Sequence, residues 1–145
     1  MRRAGELLAR RAHGRDELRR KLARGGDDVL AAEVTDDLAR MGYVDDERYA
    51  AALAQHRLAR GWGPVRIAHD LTGAGVPEAV VNVALAMLDR DVVREAALRA
   101  IGDRAGAAAA RRLGARGFGE DVADDVLGGS SRLPLFRGRA TLHRF

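Results

Sequence analysis

The 145-residue chain contains no cysteine, which removes disulfide bonds, thiolate nucleophiles and thiolate-bound zinc and fits a reducing compartment. Aromatic residues make up only 4%, with Trp62 the single tryptophan. A core must therefore be assembled from alanine, leucine and valine, a composition that favours closely packed helices. No uninterrupted apolar run of membrane-spanning length occurs, so no membrane span is expected. Arg2 and Arg3 are followed by Glu6, Arg10 and Arg11 rather than by an apolar stretch, so a secretory signal is not expected either and a cytoplasmic location is. The phosphate-cradling pattern GxxxxGK[ST] is missing, which argues against ATP binding. His13, His56, His69 and His143 show no HExxH spacing, and packing or solvated surface accounts for each of them better than metal ligation. No segment alternates β-branched and polar residues, which leaves an all-α fold.

What is present is a repeat. Leu22-Ala23-Arg24-Gly25-Gly26 returns as Leu71-Thr72-Gly73-Ala74-Gly75 and as Leu113-Gly114-Ala115-Arg116-Gly117. Four residues ahead of each leucine stand Leu18, Ile67 and Ala109. Recurrence at this length signals a row of similar small helical units, whose useful surface is long and shallow and suits a polymer better than a small substrate. We expect residues 1–60 to hold an N-terminal helix and repeat 1, 61–101 repeat 2, and 102–127 a degenerate repeat 3. Together these would form an elongated, curved array of tandem three-helix repeats, extending over roughly 60 Å if each unit is two helix diameters wide. Residues 128–145, with Gly128-Gly129-Ser130-Ser131, Pro134 and four arginines but no acid, are expected to be a disordered basic tail.

Helix limits follow from local chemistry. A short first helix spans 4–12, with Leu7, Leu8 and Ala12 available to pack. Gly14 caps a second helix that buries Leu18 and Leu22, and Gly25-Gly26 ends it. Leu30, Val34 and Leu38 give the next helix its apolar line, and Tyr49, Ala52, Leu53 and His56 the one after. Asp45 and Asp46 precede that helix. Adjacent side chains at a helix start point about 100° apart and do not converge on one proton or ion, so we read the pair as capping groups for this helix. Gly63-Pro64 opens repeat 2, with proline at the first helical position where its missing N–H costs nothing. Val65, Ile67, Ala68 and Leu71 form the inner face, and Gly75 ends the helix. In repeat 3 the turn is Gly117-Phe118-Gly119.

Net charge is +4, and of the 25 basic residues only Lys21 is a lysine. Arginine suits bidentate contact with carboxylate or phosphate, although genome composition explains the bias equally well. Arg15, Arg19, Arg20 and Lys21 lie on the second helix, where Arg15 and Arg19 share a side. Arg57, Arg60 and Arg66 surround the junction into repeat 2. Arg111, Arg112 and Arg116 decorate repeat 3. A merely solvated face is the plainer account of any one of them, but their recurrence beside equivalent helices favours a continuous basic stripe. Trp62, flanked by glycines, is expected to fill the gap between two units in preference to stacking on a base.

Three strings carry a resemblance. Arg15-Asp16-Glu17-Leu18-Arg19-Arg20-Lys21-Leu22, then Gly42-Tyr43-Val44-Asp45-Asp46-Glu47-Arg48-Tyr49-Ala50, then Gly61-Trp62-Gly63-Pro64-Val65-Arg66-Ile67 with Leu71 and Gly75, resemble the RecX family of recombination regulators. Arg111-Arg112-Leu113 and Arg116-Gly117-Phe118 are similar to its closing repeat. Coverage runs from about Leu7 to Leu127. The resemblance implies a monomeric, non-enzymatic protein without cofactor or metal. Such a protein lodges in the groove of the RecA–DNA filament and restrains ATP hydrolysis, strand exchange and co-protease function; some members also contact DNA, single- or double-stranded. Gly14 stands where the family commonly has a serine cap. The alternatives are a helical module that binds DNA without RecA, and a scaffold for an unrelated protein.

Overall fold

The computed structural model describes residues 1–128. Within them every regular element is a helix: α1 (Arg2–Arg10), α2 (Arg15–Ala23), α3 (Asp28–Arg40), α4 (Asp46–Ala59), α5 (Pro64–Gly73), α6 (Glu78–Ala86), α7 (Arg90–Ile101), α8 (Gly106–Ala115) and α9 (Glu120–Leu127). The tail expected to be disordered lies, from residue 129 onward, outside the described residues.

Short acids start several of these helices. The Asp27 carboxylate accepts from Leu30 N at the head of α3, and Asp89 accepts from Asp91 N and Val92 N at the head of α7. Each satisfies N–H groups that the helix itself cannot pair, beside the positive end of its dipole. Glycine ends them. At Gly75 (φ 82°) the N–H donates to Thr72 O while Val76 N donates to Leu71 O; at Gly117 (φ 79°) the partners are Gly114 O and, from Phe118 N, Leu113 O. This paired closure needs a left-handed residue, which only glycine adopts without strain. The repeat marker is thus a helix stop whose leucine is the last core residue: Leu71 and Leu113, with Ile67 and Ala109 a turn earlier, are fully buried.

The chain divides into two compact units that cut across the sequence repeats. Among the described residues, unit 1 holds 1–55 and 68–87, and unit 2 holds 56–67 and 88–128. In unit 1, α2 packs against α1 and α3 around Ala4, Leu18, Leu38 and Val44, with Leu7, Leu8, Leu22 and Val34 half-buried at the margin. In unit 2, α7, α8 and α9 pack mutually, burying Val93, Ala96, Ala97, Ile101, Ala109, Ala110, Leu113, Phe118 and Ala123. Each fully buried leucine in these cores is worth about 2 kcal/mol of apolar transfer.

Several expected faces are rotated. α1 begins at Arg2 and buries Ala4, while Ala12 is exposed. In α3 the inner line is Ala31, Thr35 and Leu38, and Leu30 is 54% exposed. Thr35 tolerates burial because its hydroxyl donates to Ala31 O. In α4 the buried side is Tyr49, Ala50, Ala54 and Leu58, leaving Ala52 and His56 exposed. Val65 in α5 also faces outward.

Candidate partner-binding surface

The first group of expected basic residues sits on α2, and each has an acidic neighbour. Arg15 pairs with Asp36 of α3. Arg19 and Arg20 both reach Asp16, at 3.3 and 3.2 Å, and Arg20 also donates to Gly73 O. Lys21 lies 3.1 Å from Glu17. Burial alone would raise the Glu17 carboxyl, but the bonds from Arg11 and Lys21 outweigh it and hold its pKa below the ordinary 4.5. Each of these cations therefore has a carboxylate within its own unit, with Asp16 shared by Arg19 and Arg20 and Glu17 by Lys21 and Arg11. Arg15 and Arg19 do not present one shared positive side, because one turns to α3 and the other to its own helix.

The remaining arginines lie in unit 2, where Arg66 and Arg116 come together at Trp62. Gly63 N donates to Arg116 O (2.8 Å) and Val65 N to Gly117 O (2.9 Å), so carbonyls at the end of α8 complete the unpaired start of α5. The approach is so close that a Cβ on Gly63 would lie 2.4 Å from Gly117 O, and one on Gly117 2.5 Å from Arg66 Cβ. This backbone seam brings Trp62, Arg66 and Arg116 together across fifty residues of sequence. The guanidinium of Arg116 lies 4.5 Å, and that of Arg66 5.1 Å, from the centre of the half-buried Trp62 ring, a cation–π geometry worth about 0.5–2 kcal/mol depending on desolvation. Trp62 thus holds two cations in place rather than only filling a gap.

Among the described residues no carboxylate lies within ion-pair distance of Arg60, Arg111 or Arg116. Arg60 and Arg111 are exposed and Arg116 half-buried. Arg112 is different: its Nε donates to Ala100 O at 3.2 Å, which ties it to the end of α7. Arg57 is half-buried, and Arg66 is exposed at the seam. The structure therefore separates the α2 cations, each with a carboxylate close by, from Arg60, Arg111 and Arg116 of unit 2, which have none among the described residues. Trp62, which the sequence placed in the gap between two units, is the ring that both Arg66 and Arg116 approach.

The capping residues also separate. Asp45 caps α4, accepting from Glu47 N and Arg48 N at 3.0 and 3.2 Å. Asp46 does not cap α4; its carboxylate accepts from Arg15 N at 2.8 Å and so serves the start of α2, where Gly14 has no side chain to offer. Pro64 is the first residue of α5. Gly75 meets Asp16 closely enough that a Cβ would lie 2.6 Å from Asp16 Cβ. Among the described residues no three His, Asp or Glu side chains group as a metal site, and no helix is long and apolar enough to cross a membrane.

A family model described as RecX, second three-helix domain, matches residues 45–85. Regulatory protein RecX of Pseudomonas putida is 37% identical over 136 residues, 87% of either chain. That of Halorhodospira halophila is 42% identical over 110 residues, covering 73% of this chain and 67% of its own length. That of Xanthomonas citri is 41% identical over 90 residues, and the match spans 56% of its length. A crystal structure titled as regulatory protein RecX has a TM-score of 0.74 at 19% identity, with 86% of this chain and 68% of that one aligned, a likeness of fold. With near full-length similarity to the first of these relatives and the three-helix architecture in common, the chain belongs to the RecX family of regulatory proteins.

Proposed function

We propose that this protein binds the RecA–DNA filament and restrains it, lowering ATP hydrolysis, strand exchange and co-protease activity, as a monomer and without chemistry or cofactor of its own. It acts by occupying the filament groove with shape and charge. Contacts to more than one RecA protomer hold their relative orientation and block the movements coupled to ATP turnover. The observation that supports this reading is that Arg60, Arg111 and Arg116 of unit 2 have no carboxylate within ion-pair distance among the described residues, Arg116 being held over Trp62, in a member of a regulatory family. Such charges steer encounter with an anionic partner and gain most where the partner supplies carboxylates or phosphates. Arg57, Arg66 and Arg112 flank the contact, and the paired α2 cations contribute less.

The test is ATP hydrolysis by RecA on single-stranded DNA. Stoichiometric addition is expected to lower the rate, and an unchanged rate rejects the reading. A second reading is direct DNA binding without RecA, favoured by Arg66 and Arg116 lying beside the half-buried indole of Trp62. It predicts comparable affinity for single-stranded DNA in the absence of RecA. Salt dependence alone does not separate the two, because carboxylate contacts are screened as phosphate contacts are.

A further inference from the structure

The turn between α1 and α2 carries a closed set of side-chain bonds that the partner surface does not use. His13 is only 3% exposed although it lies outside any helix. Its Nδ1 is 2.9 Å from Arg11 O and its Nε2 3.0 Å from Lys21 Nζ. A carbonyl only accepts and an ammonium only donates, so the ring is neutral, with its proton on Nδ1 and a lone pair on Nε2. Lys21 is shared with Glu17, and Glu17 takes both terminal nitrogens of Arg11, at 2.5 and 3.3 Å. Tyr49 of α4 interacts with both Arg11 and Glu17. Asp46 of the same helix is occupied by Arg15 N.

α1 needs this cluster. Its own contribution to the core is Ala4, fully buried, with Leu7 and Leu8 half-buried. Burial so slight leaves the C-terminal end of the helix dependent on the bonds of the turn that follows it.

We propose that His13 is a proton-operated latch: the neutral ring holds α1 against α2, and protonation lets α1 swing away from Leu22 and Val34. An imidazolium has no lone pair for Lys21, and it would bring a third cation between Arg11 and Lys21, while Glu17 is already divided between those two. Burial, reinforced by the charges of Arg11 and Lys21, pushes the His13 pKa below its ordinary 6.5, against the Arg11 carbonyl and Glu17. Because the folded state then binds fewer protons than the unfolded chain, the latch is complete above pH 6.5 and weakens as pH falls below it. Glu17, shifted below 4.5, keeps its share until lower pH.

Hydrogen exchange of the α1 amides in the full chain, corrected for intrinsic rates, tests this at pH 7.5 and 5.5. We expect exchange to rise by about threefold or more at the lower pH, and His13→Gln, which keeps an uncharged acceptor for Lys21, to remove the rise. A flat wild-type response, or a rise that persists in His13→Gln, overturns the proposal. Ring-nitrogen NMR of the wild type gives an answer that does not need the variant to fold. A proton on Nδ1 and a midpoint below 6.5 support the latch, whereas a proton on Nε2 or a midpoint at or above that value overturns it.

Discussion

The starts of α2 and α5 occupy equivalent places in successive repeats and are completed in different ways. At α2 a side chain does it: Asp46 accepts from Arg15 N, and Gly75 abuts the Asp16 side chain. At α5 the backbone does it: Arg116 and Gly117 carbonyls accept from Gly63 and Val65, and Gly117 abuts the Arg66 main chain. The charges divide along the same line. Carboxylates pair with the α2 cations, whereas at the α5 seam the Trp62 ring takes the guanidinium groups of Arg66 and Arg116. Similar repeats can thus complete a helix start, and hold the cations beside it, in different ways without a change of fold.

The largest expected effect comes from glycine. Gly117→Ala forces a Cβ into rigid backbone at a positive φ and should cost about 3 kcal/mol or more, read from denaturation followed by Trp62 fluorescence. Gly75→Ala meets the Asp16 side chain instead and should cost less; equal losses would erase the distinction between the two junctions. Next comes charge reversal. Arg60→Glu combined with Arg111→Glu should raise the concentration needed for half-maximal inhibition of RecA by about tenfold or more, against less than about twofold for Arg19→Ala with Arg20→Ala. The opposite ranking would move the partner surface to α2.

A smaller effect concerns the caps. Asp46→Ala should destabilise unit 1 by about 1 kcal/mol, similar to Asp45→Ala, although only Asp45 belongs to the helix it caps. Acid should act on unit 1 as well. The depressed Glu17 contributes stability that is present above pH 4.5 and lost as pH falls through its folded value, so Glu17→Gln should flatten the thermal stability profile there. The smallest effect is Gly14→Ser. A Cβ there would lie 3.2 Å from Tyr49 Cδ1 and 3.3 Å from Asp46 Oδ1, and the cap it would supply already exists. A change within about 0.5 kcal/mol is expected.

The helical class and the repeat were legible because glycine stops and four-residue apolar spacing are local signals. Leu18, Ile67 and Ala109 could be matched by position alone. The inner faces of α3 and α4 were less legible. Leu30, Val34 and Leu38 make as regular a line as Ala31, Thr35 and Leu38, and only the position of α2 decides between them. The arginines could be located but not sorted. Whether a guanidinium is neutralised depends on partners such as Asp36, which pairs with Arg15 from another helix. Trp62 and Arg116 meet beside a pair of backbone hydrogen bonds between segments far apart in the sequence.

Since the α5 head is sealed by carbonyls of residues 116 and 117, it remains unfinished on a ribosome until that later stretch has emerged from the exit tunnel. A chain released before it should therefore fray at Gly63–Val65 and mount Trp62 loosely, however well its own first repeat has folded. Duplication or loss of a whole repeat meets the same condition: every newly exposed head must find either a following turn to seal it or, as α2 does, a borrowed carboxylate.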